Sequence, residues 1–510
     1  MMSRKAIVGG LLATLGVAIL VGAVSVLPMG LTDAGKYFEV PGTRQLQPDE
    51  VGQLRATIDN YLQLATSGDE FRGWSVERQY FWKYSIAFAA YGVPSAMIID
   101  PDHLTDYKVL LDTMIWKMKS RRVWGDFTDF GFGSDPISIQ NIMYKGHLNL
   151  MYGLYQMTTG DLRYAREYTW LTRQIAAEMR LHHQGHYEGV TCEPNAWFAQ
   201  CNTIGMLSLH IYDKLYATHY TENEVQWSLD FIMEKMRDPH TGLFYSVYMP
   251  YHDAFQKDIR GYTNAWIITF LHPFLPREME ALYSTFKTHL VSDYGPYAGI
   301  KYQVDGRPDE TAHLFGLWVS KELGDVELFG RLRNVTDKLG KLDYDPETGG
   351  LAYDNPDNKM FNGGVLATKM HLGWRRVLDH DWGHGPLPYA IPDTTGMAWT
   401  DLLPTQIYMM NTGNSRLPDD SSSLRPCPNC FWGDFKSVRM QLAAEPEPAH
   451  CRTASTGGCG MEVLERPNPH WHIDNTCKPI WACKTSAAGQ QSGGEGRRHF
   501  VKEIAKQLDY

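Results

Sequence analysis

Between about residue 45 and residue 410, apolar positions return at a spacing near 3.6, segment after segment, and few stretches alternate long enough to build a sheet. The stretch from Val51 to Ala65 puts Leu54, Ile58, Tyr61 and Leu62 on one face. The same period runs through "EYTWLTRQIAAEMRL", "EVQWSLDFIMEKMRD", "HLFGLWVSKELGD" and "VLATKMHLGWRRVLDH". "YFWKYSIAFAAYG" is apolar almost all round whereas "EVQWSLDFIMEKMRD" is amphipathic, which predicts inner and outer helices rather than one layer. A faint repeat agrees. "DPHTGLFYSVYMP" from Asp238 and "DPETGGLAYDNP" from Asp345 each follow a helix with a D-P-x-T-G turn and a short aromatic extended piece. Helix, turn, short hairpin, helix is a join that suits concentric paired helices, so the pattern predicts an all-α fold of that kind.

Both ends of the chain break the pattern. Arg4 and Lys5 precede an uncharged run from Ala6 to Met29, long enough to cross an apolar layer of about 30 Å as a helix. With no clean small-x-small cleavage site after it, residues 1–30 read as an uncleaved signal anchor. The basic flank then stays cytosolic and the rest of the chain lies on the lumenal, periplasmic or outer side. Residues 411–510 turn to Ser, Pro, Gly and Cys, as in "RLPDDSSSLRPCPNC", a tail without the composition for a large core.

Composition narrows the partners. Lys and Arg total 48 against 58 Asp and Glu, a net charge of -10, so no polycationic surface is on offer and nucleic acid is excluded as a partner. Of eight cysteines, Cys192 and Cys201 lie mid-chain and six crowd the tail. In an oxidising compartment those six form disulfides of unspecified pairing; "CPNC" with Cys451 and Cys459 is the alternative, a zinc site. Asn334-Val335-Thr336 is a glycosylation sequon for a lumenal domain.

Several residues carry candidate chemistry. "QNIMYKGHLNLMYGLYQMTTGD" reads as a helix in which His147 shares a stripe with Met143, Leu150, Met151 and Leu154. Two readings stand: a core histidine bonded to a carbonyl or tyrosine, or an acid or base with a pKa near the working pH at the wall of an apolar cavity. Upstream, "RVWGDFTDFGFGSDPISIQ" reads as a loop over a helix start, with Asp135-Pro136 as N-cap and first helical position. Asp126 and Asp129 are surface loop acids or half of an Asp-rich magnesium site.

In "VTCEPNAWFAQCNTIG", Pro194 fits the first turn of a helix, which sets Cys192 and Cys201 on the order of 10 Å apart, as two separate thiols. Cys192 at that helix start is a small packed hydrophobe or a proton donor or acceptor of depressed pKa, with Glu193 as a neighbouring acid. Asp59 in "ATIDNYLQ" sits one step off an apolar stripe, four residues after Arg55, and Tyr84 and Tyr262 are flanked by apolar residues. No G-x-S-x-G, Walker loop, HExxH or Rossmann fingerprint is present. These residue types point to cofactor-free acid–base chemistry in an apolar pocket.

At "KMKSRRVWGDFTDFGFGSDPISIQNIMYKGHLNLMYGLYQMTTGD" and "CEPNAWFAQCNTIGMLSLHIYDKLYATHY" the chain resembles the linalool dehydratase-isomerase family. The likeness thins outward through "KYSIAFAAYG" and "GYTNAW" to cover roughly residues 50 to 380. The resemblance implies an (α/α)6 barrel over residues 45–410, no metal or organic cofactor, and a pentamer of identical chains with active sites near subunit contacts. It implies interconversion of linalool with geraniol and dehydration of linalool to myrcene, so the expected partner is a small apolar alcohol. Carried over by motif, it assigns Asp59, His147, Cys192, Cys201 and Tyr262 to catalysis, and Tyr84, Trp124, Met143, Glu193 and Phe198 to substrate binding. Cys201, His147 and Asp59 are expected around the hydroxyl and Cys192 at the carbon proton. Ser120 stands where the family's archetype has a disulfide cysteine, and Ala65 lies near where it has a tyrosine; a larger terpenoid substrate stays open.

Two other classes compete. A glycoside-active barrel needs two carboxylates about 5 to 10 Å apart in one cleft. A catalytically silent, membrane-tethered binding protein would show a filled cavity or an occluded His147.

Overall fold

Helices alternate between two rings in the computed structural model, which describes residues 34–403 apart from 40, 41, 43, 63–70, 72, 73, 341, 347, 348 and 354–358. Outer α1 (Pro48–Leu62) is followed by inner α2 (Trp82–Ile99), outer α3 (Leu104–Met118) and a short extra helix, α4 (Arg121–Asp129). Inner α5 (Ile142–Thr159), outer α6 (Ala165–His182), inner α7 (Ala199–Tyr216) and outer α8 (Gln226–Lys235) come next. Inner α9 (Gly261–Leu271), outer α10 (Pro276–Leu290), inner α11 (Glu310–Glu322), outer α12 (Val326–Gly340) and inner α13 (Lys359–Met370) complete the set. The inner helices touch in the order α2, α5, α7, α9, α11, α13, and α13 packs back on α2, which closes a ring. Among the described residues this is six inner helices enclosed by six outer ones.

Sequence pattern explains the layering. Inner α5 is buried from Ile142 to Thr158 without a break. Outer α8 buries Leu229, Phe231 and Ile232 and turns Asp230 and Glu234 to solvent. The inner ring closes tightly through small residues: a Cβ on Gly92 of α2 would lie 2.7 Å from the Ala367 Cα of α13, and one on Gly363 would lie 2.9 Å from the Ala89 Cβ.

Short antiparallel strands join the pairs. β1 (Trp197–Phe198), β2 (Val247–Met249) and β3 (Ala254–Gln256) form one small sheet, β4 (Val291–Tyr294) pairs with β5 (Tyr297–Ile300), and β6 (Leu342–Asp345) pairs with β7 (Gly350–Tyr353). At both D-P-x-T-G stretches the glycine N–H returns to the aspartate carbonyl: Gly242 to Asp238 at 2.7 Å and Gly349 to Asp345 at 2.8 Å. Both glycines have positive φ, 72° and 68°, the left-handed conformation that favours glycine.

Three expectations are corrected. "VLATKMHLGWRRVLDH" is two helices, broken at Gly373 (φ 92°) between α13 and α14 (Trp374–Asp379). The break turns the Trp374 N–H onto buried Glu322 at 3.0 Å, where His371 Nε2 (2.6 Å) and His272 Nδ1 (2.7 Å) also meet the carboxylate. Arg121–Asp129 is helical, with the Ser120 hydroxyl as its N-cap, not a loop. Asp135 caps no helix; its Oδ1 accepts the N–H groups of Ile137 and Ser138, and α5 starts only after Gln140 and Asn141, both left-handed.

The anchor at 1–30, the tail at 411–510 with its six cysteines, and Ala65 lie outside the described residues. Within them, no helix is long and apolar enough to cross a membrane.

Candidate active site

All six inner helices begin at the same end of the ring, and their first turns enclose a cavity of about 140 Å³. Tyr84 and Phe88 come from α2, Met143 from α5, Cys201 from α7, Tyr262 and Trp266 from α9, Phe315 from α11 and Met360 from α13. Tyr80, Glu193, Phe198, Tyr302 and Asp309, from the segments between these helices, add to the wall. Trp266 stacks on Phe315 with ring centroids 4.6 Å apart, and Phe88 meets both edge-on at 5.2 and 5.3 Å. The wall is predominantly aromatic and thioether.

A tight reversal builds the polar side. The Cys192 N–H donates to the Ala196 carbonyl at 2.9 Å and the Ala196 N–H to the Glu193 carbonyl at 3.0 Å, with Asn195 left-handed at φ 61°. Trp197 and Phe198 are extended in β1, so α7 starts at Ala199 and not at Pro194. Cys201 therefore lies in the first turn of α7 and returns beside Cys192. The two thiols, expected apart, are neighbours, both free and buried. Burial, with Cys201 beside it, pushes the Cys192 thiol well up, the reverse of the depressed value expected at a helix start.

Glu193, at the tip of this reversal, is 5% exposed and lines the cavity. Burial pushes its carboxyl up to about 7; the Lys83 ammonium opposes the shift and the Asp126 carboxylate adds to it. Lys83 and Asp126 form an ion pair, and the Lys83 ammonium lies 4.0 Å from the Tyr80 ring centroid. The Tyr80 hydroxyl reaches the Met143 sulfur at 3.6 Å. Asp126 is thus the partner of a buried lysine, while Asp129 pairs with Arg121 at the surface. Among the described residues no three His, Cys, Asp or Glu side chains gather as metal ligands.

His147 lies one layer behind the wall. Its ring packs against Tyr84, Phe88 and Trp266, and its Nδ1 is hydrogen-bonded to the Tyr91 hydroxyl at 2.5 Å. Burial, with the Lys83 charge adding, pushes it down to about 3. That is the tyrosine-bonded core histidine of the first sequence reading, neutral across the physiological range, and not a group poised near neutrality. The cavity is open while His147 is occluded.

The remaining candidates separate. Tyr262 is at the wall, its hydroxyl accepting from Arg260 Nη1 at 3.1 Å. Trp124 is buried elsewhere, with its indole N–H on the Lys119 carbonyl and its ring edge-on to Trp399. Asp59 belongs to outer α1, and its side chain lies outside the described residues. Asn334 sits on outer α12, its amide donating to the Pro296 carbonyl at 3.0 Å, and Thr336 of the sequon is buried. Phe88, Trp266, Phe315 and Met360 were missed. Their signal, an aromatic or methionine in the first turns of an otherwise apolar helix, looks like ordinary core.

A family model described as linalool dehydratase/isomerase matches residues 83–359, more than half of the chain. Among solved structures, the chain is similar to the GH76A alpha-1,6-mannanase from Salegentibacter sp. HEL1_6, at 15% identity over 65% of this chain and 100% of that one, TM-score 0.41. A family 105 glycoside hydrolase of C. acetobutylicum ATCC 824 gives 13% identity over 62% and 98%, TM-score 0.43. The GH76 alpha-mannanase of Bacteroides thetaiotaomicron gives 11% over 66% and 98%, TM-score 0.43. At such TM-scores none of the three bears on chemistry.

Proposed function

The chain belongs to the linalool dehydratase/isomerase family, and from that premise we propose that it dehydrates or isomerises an allylic terpenoid alcohol through an allylic cation. The observation that carries the reading is Glu193, a buried carboxyl held at about 7 on the wall of an aromatic cavity beside a thiol pair. A carboxyl of that pKa gives and takes a proton at neutral pH. Protonated Glu193 delivers its proton to the substrate hydroxyl; the C–O bond breaks, water leaves, and the positive charge spreads over three carbons. Loss of a proton from an adjacent carbon to the Glu193 carboxylate gives a diene. Re-addition of water at the far carbon, with its extra proton returning to Glu193, gives the rearranged alcohol.

The wall suits such an intermediate. The rings of Tyr84, Trp266 and Phe315 and the polarisable side chains of Met143 and Met360 give it an electron-rich, largely apolar surface. Cys192, with its thiol pushed up by burial, is a neutral group beside Cys201. The lining of the cavity, chiefly rings and methionines, suits a small apolar alcohol such as linalool or geraniol. A glycoside substrate is disfavoured by this greasy lining, and Asp309, the second carboxylate there, uses its Oδ1 to cap α11.

Incubating the purified protein with tertiary and primary allylic C10 alcohols, with EDTA present, and reading products by gas chromatography tests the proposal. Diene and rearranged alcohol are expected, and their loss in Glu193→Gln. A folded wild type that converts none of the panel overturns it.

A further inference from the structure

The cavity has a second polar side that the chemistry at Glu193 does not use. Tyr302, Asp309 and Thr311 line it together. A tight loop holds them: the Tyr302 N–H donates to the Arg307 carbonyl at 2.8 Å and the Asp309 N–H to the Ile300 carbonyl at 3.0 Å, while Asp309 Oδ1 accepts the Thr311 N–H at 3.0 Å. The Tyr302 carbonyl accepts the Gly261 N–H at 2.9 Å, which fixes this loop to the start of α9.

All three residues are half-buried, and their remaining polar atoms are uncommitted. Among the described residues no hydrogen bond reaches the Tyr302 hydroxyl, the Thr311 hydroxyl or Asp309 Oδ2, and none of these three oxygens is closed off from its surroundings. Other hydroxyls of the wall differ: Tyr262 is engaged by Arg260 and Tyr80 by the Met143 sulfur. Burial, with the Arg260 charge opposing, raises the Tyr302 phenol, so it stays protonated and able to donate.

Ring order places this group away from Glu193. The Glu193 reversal is tied to the start of α5, where the Ile142 N–H meets the Thr191 carbonyl at 3.2 Å, and α11 stands three places from α5, on the opposite side of the ring. The chemistry of the group selects its ligand. Two hydroxyls donate and accept, whereas a carboxylate oxygen only accepts. A neutral hydroxyl answers all three; a carbonyl has no proton for Asp309, and an anion is repelled by it.

We propose that Tyr302, Thr311 and Asp309 Oδ2 form a second hydroxyl-binding subsite, and that the preferred substrate is an allylic alcohol carrying another hydroxyl at the far end of its carbon skeleton. The proposal rests on the reading of Glu193 as the reacting end and names the substrate class of that same cavity. An apolar pocket with one polar end admits a chain in either direction. A second polar end fixes the direction, so that the allylic hydroxyl meets Glu193.

The test separates binding from turnover. A saturated C10 alcohol, which does not ionise, and the saturated C10 diol with its second hydroxyl at the other end are titrated calorimetrically into wild type, Tyr302→Phe and Thr311→Val. An unassisted hydroxyl is costly to take from water into an apolar cavity, so a preference for the diol reports hydrogen bonds made there. Wild type is expected to bind the diol about tenfold more tightly than the alcohol, and each variant to lose most of that ratio, about one hydrogen bond's worth. Damage to packing alone would weaken both ligands alike and leave the ratio unchanged. Two substitutions that each remove only a hydroxyl's chemistry guard against one failing to fold. Equal affinities in wild type, or an undiminished ratio in folded variants, overturn the proposal. Absence of turnover on allylic alcohols with the diol preference intact overturns the reaction assignment instead and leaves the subsite standing.

Discussion

Glu193 shows how a single side chain is set for its task at the expense of stability. Its folded carboxyl stands at about 7 against 4.5 when unperturbed, so the unfolded chain releases this proton first, and ionisation opposes folding. The penalty is absent below about pH 4.5 and complete above about pH 7, on the order of 3 kcal/mol. Glu193→Gln is therefore expected to melt higher than wild type at pH 8 and equal to it at pH 4. The same substitution lowers kcat by about 10²- to 10⁴-fold. Because burial holds His147 at about 3, substitutions at His147 should leave the activity limb near pH 7 in place, and a pH–rate profile of each variant checks the contrast. At this scale the sequence was partly legible. "CEPNAWFAQC" runs along the cavity, and Met143, Glu193, Phe198, Cys201 and Tyr262, assigned through the family resemblance, do meet at one wall. For His147 the apolar stripe left two readings open and the family resemblance drew it to the cavity, since a stripe cannot distinguish the wall from the layer behind it. Which of the two a residue joins depends on rings from other helices, here Tyr84, Phe88 and Trp266.

The elements were legible where period decides and obscure where a few residues reverse the chain. Inner and outer helices followed from all-round versus one-sided apolarity, as α5 and α8 show. The reversal at 192–198 did not, because Pro194 is as good a first-turn residue as a turn residue and nothing nearby discriminates. That one misreading separated two thiols that are in contact. The inner ring depends on glycine at its closest approach. A Cβ on Gly92 would strike the Ala367 backbone, which cannot swing aside, so Gly92→Ala is expected to lower stability by about 1–3 kcal/mol by overpacking. In α4, a Cβ on Gly125 meets only the flexible Arg121 side chain at 3.2 Å. Gly125→Ala should be neutral or slightly stabilising, and paired urea titrations read the difference.

The whole barrel is polarised from end to end. Every inner helix sends its N-terminus to the cavity, and the positive ends of six helix dipoles oppose an allylic cation there, which the negative ring faces and the Glu193 carboxylate must offset. At the far end, Glu322 near the C-terminus of α11 gathers His272, His371 and the Trp374 N–H. Burial alone raises its carboxyl, but the hydrogen bonds from the two histidines outweigh burial and hold it at about 2, below the usual 4.5. Its contribution, on the order of 3 kcal/mol, is present above about pH 4.5 and lost as the pH falls toward 2. Glu322→Ala should cost about 3–5 kcal/mol at pH 7, with turnover per folded molecule retained. This carboxylate joins helix ends distant in sequence, across the break at Gly373, so no local pattern announced it. The measurement that bears most directly on the central claim is the pH–rate profile of product formation from a tertiary allylic C10 alcohol, wild type against Glu193→Gln. Wild type should form diene and primary alcohol with activity falling as the pH rises through about 7, and the variant should be nearly inactive at every pH. A Glu193→Gln protein that turns over at the wild-type rate with the same limb would contradict the account.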